Sequence, residues 1–308
     1  EIGMEVKITM EKFMELVKRT AKLKIGRSAT IEESTIAKNN ELIYQGTEAM
    51  IHGNRIHRSA YLEQFYGFFD HDADLRECIG KMIRVDVKPE TITESNSIFR
   101  DMSDWEKMRP RVCCQIINRA RNLKLLRKVS NTEYLDLAVV YSLEFKEYGP
   151  YIYSVRVTKK MLEQMNVSME ELHEQALINM KRKFPYKIEL LEDIILNQTA
   201  FDRDHIPNGD KLDLPVYVIQ NRLEADGASV ILDKEPFEKL AHQLATDLIV
   251  FPTSVHELMA IPEMPNAPVE DMKTLLMEMN LGCVKTEEQL SPHIYRYRRG
   301  KEELEIAA

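Results

Sequence analysis

Asp247-Leu248-Ile249-Val250-Phe251-Pro252-Thr253-Ser254-Val255-His256-Glu257-Leu258-Met259-Ala260-Ile261-Pro262 sets two apolar runs on either side of a proline, a hydroxyl pair and a His-Glu pair. Leu248 to Phe251 is a short β-prone run, and Leu258 to Ile261 is a second apolar run. Pro252 has no N–H to give to a ladder, so a central strand ends or bulges there. Two such runs around a break supply two strands of a sheet. If the second strand starts at Ser254, alternation places Ser254, His256, Leu258 and Ala260 on one face and Val255, Glu257, Met259 and Ile261 on the other. His256 and Glu257 then point apart.

That divergence argues against a metal ion held by the pair, and the spacing is not the helical His-Glu-x-x-His of zinc peptidases. Ser254 and His256 share a face, but their Cβ atoms lie about 6.5–7 Å apart on a flat strand, which is long for a nucleophile and its base. The structural reading is preferred: a buried or half-buried His256 tied to a backbone carbonyl. The catalytic alternative takes Ser254 or Thr253 as nucleophile, His256 as base, and Asp136 or Glu257 as the orienting carboxylate.

Toward the carboxyl terminus, Val269 to Asn280 reads as a methionine-rich helix ended by Gly282, and Ile294 to Arg299 as a terminal strand. In that strand Tyr295 and Tyr297 alternate with Arg296 and Arg298, the pattern of an edge strand with tyrosines inward and arginines outward. Toward the amino terminus, Pro215 to Gln220 and Ala228 to Leu232 read as a strand pair around Gly227, with a helix from Pro236 to Ala245. Tyr186 to Asp213 holds one short helix around Leu190 to Leu196 and then a polar loop.

Tyr134 to Phe145 reads as one long strand, turned by Gly149-Pro150 into Tyr151 to Val157, after which Thr158 opens a helix. Ser168-Met169-Glu170-Glu171 resembles a capping box at the start of another. Asp136 falls on the face beside Ala138 and Val140, where a carboxylate needs a partner, and Arg119 or Arg121 is the expected one. Val112 to Ile117 is β-prone, and Arg119 to Lys128 is a basic helix-forming run.

In the first third, Thr9 to Lys24 is an amphipathic pattern, Thr30 to Ala37 and Leu42 to Met50 flank an Asn-rich turn, and Ser59 and Asp72 can each cap a helix. Lys88 to Asp104 is a polar connector. It implies domains at 1–108 and 109–308. The fold class expected is α+β, with antiparallel sheets covered by helices. A weak hairpin-plus-helix repeat joins Tyr134 to Met165 with Val216 to Ala245.

At 308 residues, with 44% hydrophobic and 30% charged side chains, the chain has the composition of a folded globular protein. A net charge of −8 opposes a general nucleic-acid or anionic-membrane binder. Cys78, Cys113, Cys114 and Cys283 contain no C-x-x-C, which points to reduced thiols and a cytoplasmic setting. No apolar run approaches transmembrane length. No metal site or cofactor motif is recognisable.

Several segments together carry a resemblance. Ile117-Asn118-Arg119-Ala120-Arg121-Asn122, Tyr134 to Tyr141, Tyr217 to Asn221, Gly227-Ala228, Pro252 to Glu257 and Leu290 to Tyr297 resemble an uncharacterised bacterial family. That family is known only as a domain of unknown function and is common in gut-dwelling Gram-positive bacteria. It tends to have two serines before its His-Glu pair, where this chain has Thr253 and Ser254. The resemblance implies a shared fold and brings no activity, substrate or cofactor with it.

Three function classes follow. The first is a non-enzymatic cytoplasmic interaction or regulatory protein with a protein partner, expected because no phosphate loop, metal cluster or triad is complete. The second is a hydrolase-like enzyme centred on Ser254 and His256. The third, nucleic-acid binding, draws on Arg119, Arg121, Lys124, Arg127, Lys128 and the terminal Tyr-Arg run, and the overall charge makes it the least favoured. Asn118, Arg119 and Arg121 are the candidate ligand-binding residues.

Overall fold

The computed structural model describes residues 11–12, 15, 19, 29–37, 39–51, 54–56, 102–148, 151–198, 214–224, 226–265 and 269–308. The chain divides into two compact units, Glu1–Arg100 and Asp101–Ala308. In the first, β1 (Ala29–Ala37), β2 (Ile43–Ile51) and β3 (Asn54–Ile56) form an antiparallel sheet in that order. The expected hairpin is therefore present, its turn passing through Asn40 at φ 59°. The helices expected after Ser59 and Asp72 lie outside the described residues, as does most of the one expected at Thr9 to Lys24.

The second unit holds two antiparallel sheets. In one, β6 (Leu137–Tyr148) is central, with β4 (Val112–Asn118) on one side and β5 (Asn131–Tyr134) and β7 (Tyr151–Arg156) on the other. Before it comes α1 (Trp105–Met108), and α2 (Leu123–Leu126) closes one of its faces with Leu126 packed on Ile117, Ala138 and Val140. Next come α3 (Lys159–Met165) and α4 (Met169–Lys183), whose first free amides are taken by the side chains of Thr158 and Ser168. Leu172 and Ala176 of α4 are fully buried, and the helix packs on β4.

The other sheet has six strands in the order β13-β12-β10-β11-β9-β8. They are β8 (Tyr186–Leu190), β9 (Tyr217–Asn221), β10 (Leu248–Phe251), β11 (Leu258–Pro262), β12 (Tyr295–Arg298) and β13 (Glu303–Ile306). Between β8 and β9 lies α5 (Leu191–Gln198). One face carries Ile249 and Ile261 against Leu276 and Met272 of α7 (Val269–Gly282). The opposite face carries Tyr297, stacked at 5.8 Å on Phe237 of α6 (Glu235–Leu244). The fold class is the α+β expected, with antiparallel sheets covered by helices.

Three strand expectations need correction. Gly227–Leu232 is a 3-10 helix, buried along nearly its whole length, and β9 pairs with β8 and β11 instead. Burial on every side gives an apolar run with no period to distinguish strand from helix. The second hairpin does not form, so the hairpin-plus-helix repeat is not present. Tyr134 to Phe145 is two strands: Tyr134 pairs with Leu137, leaving Leu135 and Asp136 as a two-residue turn with Leu135 at φ 53°. Finally, β12 is an interior strand between β10 and β13.

Candidate functional site

The turn at Leu135-Asp136 lifts the Asp136 carboxylate off the sheet and across to the segment before β12. Asp136 Oδ2 accepts from Ser291 Oγ at 2.6 Å and from His293 Nδ1 at 2.9 Å, and Oδ1 accepts from Tyr295 OH at 2.5 Å. Burial pushes the Asp136 carboxyl up, but hydrogen bonds from Ser291, Tyr295 and His293 and the electrostatic effect of the His293 ring outweigh it, so the net shift is downward. Burial and the Asp136 charge push the Tyr295 phenol up, which keeps it a neutral donor.

The arginines expected beside Asp136 are placed otherwise. Arg119 pairs with Glu133 at 2.5 Å and gives only its backbone N–H, at 3.4 Å, to the Asp136 carbonyl. Arg121 donates to Gln289 Oε1 at 2.7 Å. Asn118 spans both sides, donating to the Leu290 carbonyl at 2.8 Å and accepting the Arg121 N–H at 2.8 Å.

Pro252 to Glu257 is a loop between β10 and β11, so Ser254 and His256 are not on one strand face. The two hydroxyls are buried and hold the loop together. Thr253 Oγ1 donates to the Glu257 carbonyl at 3.2 Å, and Ser254 Oγ accepts the His256 N–H at 3.1 Å. Val255 donates its N–H to the Glu288 carbonyl at 2.8 Å and accepts from Ala228 N–H at 3.1 Å.

The His256 ring is 38% exposed, its Nδ1 accepting the Asp226 N–H at 3.2 Å and its Nε2 lying 3.9 Å from Glu288 Oε1. Its tie is thus to a backbone amide, where a backbone carbonyl was expected. Glu257 is half-buried beside it.

From Asp226 a chain of polar contacts runs into the first sheet. Gln115 Nε2 donates to Asp226 Oδ1 at 2.5 Å, Arg156 donates to Gln115 Oε1, and Arg156 Nη1 reaches Ser142 Oγ at 3.2 Å. Cys113 Sγ donates to the Ser142 carbonyl at 3.4 Å. Burial raises both vicinal thiols, Cys114 to about 12, so neither is a ready nucleophile.

The candidate residues are brought together by one segment that the sequence reading did not single out as a whole. Glu288 meets Val255 and His256, Gln289 meets Arg121, Leu290 meets Asn118, and Ser291, His293 and Tyr295 meet Asp136. This strap crosses from one sheet to the other. Ser291, His293 and Glu288 were missed as site residues, and the one available signal was the resemblance over Leu290 to Tyr297. Among the described residues no group of three His, Cys, Asp or Glu side chains is placed to hold a metal ion. Nor is any described helix long and apolar enough to cross a membrane.

Fold and site together define an α+β protein whose second unit has two antiparallel sheets joined by an internal polar strap. The chain belongs to DUF5688, a family of unknown function, which it matches over residues 10–299. None of the curated proteins and none of the solved structures matches it.

Proposed function

We propose that this chain is a non-enzymatic interaction or regulatory protein of the cytoplasm, with a protein as its partner. One observation carries the reading: the hydroxyls and carboxylate that would do chemistry are engaged with other parts of the same chain. Ser254 Oγ takes a backbone amide, Thr253 Oγ1 gives to a carbonyl, and both oxygens of Asp136 accept hydrogen bonds from the strap. Groups used in this way specify how two sheets dock. Support for a partner surface comes from α7, which leaves Met277 and Leu281, one turn apart, exposed to solvent. The free, half-buried vicinal thiols fit a reducing compartment.

A hydrolase remains the second reading because of His293, whose Nδ1 is held by Asp136 at 2.9 Å while 37% of its side chain is exposed. It is a better-oriented imidazole than His256. The neighbouring hydroxyl, Ser291, donates to Asp136 and not to the ring's other nitrogen.

Both readings meet in one experiment. Wild-type protein and the Ser254→Ala, Asp136→Asn and His293→Ala variants are treated with a fluorophosphonate probe and a panel of ester, amide and phosphoester substrates, alongside thermal unfolding. The proposal expects no labelling or turnover above a heat-denatured control. It also expects a stability loss of about 2 kcal/mol for Asp136→Asn, the scale of lost charge-assisted hydrogen bonds. Turnover that vanishes in His293→Ala or Ser254→Ala while the unfolding midpoint holds would overturn it.

A further inference from the structure

Away from the strap, the last turn of α4, the residues that follow it, the 3-10 helix and the start of α6 line a half-open pocket of about 230 Å³. That exceeds the roughly 150 Å³ that admits benzene into an apolar cavity, and falls below the roughly 300 Å³ at which drug-sized sites begin. A single-ring or short branched ligand is the size that fits. Met180, Phe184, Pro185 and Val230 make the apolar wall.

The polar end is acidic. Asp233 lines the cavity with only 9% of its side chain exposed, and Glu235 lies beside it. A carboxylate so buried requires a cation or several donors. Asp233 has Lys181 Nζ at 2.8 Å and the Glu235 N–H at 3.2 Å, and both fall on Oδ1. Yet the Lys181 side chain is 55% exposed. It reaches in from solvent and gives up rotamer freedom to stay there, so an incoming cation can replace it at little cost.

Two further features favour positive charge. The cavity lies against the carboxyl end of α4, where the Met180 carbonyl takes the Phe184 N–H, and this is the negative pole of the helix. Glu235 accepts from Tyr186 OH at 3.0 Å, so a second carboxylate and an aromatic ring flank the same space. Lys239 is directed over the Tyr186 ring at 6.0 Å from its centroid.

We propose that this cavity binds a small organic monocation, a primary ammonium on a short aryl or branched alkyl body. The ammonium takes the place of Lys181 at Asp233, and the body packs on Met180, Phe184, Pro185 and Val230. The strap lies elsewhere, so the site does not depend on whether His293 or Ser254 has a chemical role.

Isothermal titration of the full chain at neutral pH with phenethylamine tests it, with phenethyl alcohol and 3-phenylpropanoate as the neutral and anionic isosteres. The ammonium should bind saturably and at least ten-fold tighter than either isostere. Asp233→Asn should weaken it ten-fold or more. Lys181→Ala should tighten it three-fold or more, by removing the competing cation. The comparison of the three probes on the wild-type chain decides the matter even if neither variant folds. Absence of saturable binding in both wild type and Lys181→Ala, equal affinity for the three probes, or unchanged or weaker binding in Lys181→Ala would each overturn the proposal.

Discussion

At the scale of single residues, Gly227 has no room for a side chain. A Cβ added there would lie 2.3 Å from the His256 carbonyl oxygen and 3.0 Å from the Asn221 nitrogen, both backbone atoms of elements held in place by ladder and loop hydrogen bonds. Gly227→Ala should therefore cost about 3 kcal/mol, the upper part of the range for overpacking. Urea unfolding should show the midpoint falling at unchanged slope. A loss below about 1 kcal/mol would mean that the 3-10 helix can slide away from the loop. Asp136 makes a different demand, which depends on pH. Its folded-state pKa is depressed, so its contribution is fully present above the unfolded value of about 3.9 and is lost as pH falls through the lower, folded value. Thermal unfolding midpoints should drop in acid below about pH 4, and Asp136→Asn should flatten that part of the profile. An identical acid limb in the variant would show that other carboxylates carry it.

At the scale of elements, α6 ends with Ala245 at φ 57°, its N–H taken by the Ala241 and His242 carbonyls. This is a left-handed cap made by a residue with a Cβ, which costs about 1–2 kcal/mol against glycine. Ala245→Gly should raise stability by about 1 kcal/mol, after allowance for the looser unfolded chain, and a lower melting midpoint would contradict this account. Local chemistry of this kind is what made much of the fold legible. The Thr158 and Ser168 caps, the Pro252 break and the Asn-rich turn after β1 each act within a few residues and each appears where the pattern placed it. The strands that escaped are short. β8, Tyr-Lys-Ile-Glu-Leu, and β13, Glu-Leu-Glu-Ile, alternate apolar with charged residues over only five and four positions, and their Lys, Glu and Leu are equally good helix formers. The turn at Leu135 was hidden because leucine is no turn former and apolar alternation runs straight through it. The candidate site was legible as residue types, Asp136, Asn118, Arg121 and the Ser254-His256 pair among them. Its contacts were not, since Asp136 to Ser291 spans 155 positions and Asn118 to Leu290 spans 172. No periodicity reaches that far.

At the scale of the whole molecule, charge and its placement decide whether the terminal Tyr-Arg run can serve nucleic acid. The chain carries a net −8, which opposes the counterion release that drives duplex binding. Within that run, Arg296 and Arg298 are already paired. Arg296 lies 2.8 Å from Glu263 and 3.8 Å from Glu305, and Arg298 lies 2.7 Å from Glu305 and 3.6 Å from Asp247. The tyrosines that would stack on bases are turned the other way. Tyr295 and Tyr297 are buried, Tyr297 against Phe237, so rings and cations share no accessible surface. The expected outcome is no saturable shift of duplex DNA in a mobility assay at about 150 mM salt with protein up to roughly 100 μM, the weak end of non-specific binding. Arg296→Met should act on stability alone, because Glu263, four-fifths buried, loses its nearest cation. Micromolar binding that falls steeply with salt and disappears when Arg296, Arg298 and Arg299 are replaced would refute this, and would make the β12 arginines a nucleic-acid surface rather than a set of ties across the six-stranded sheet.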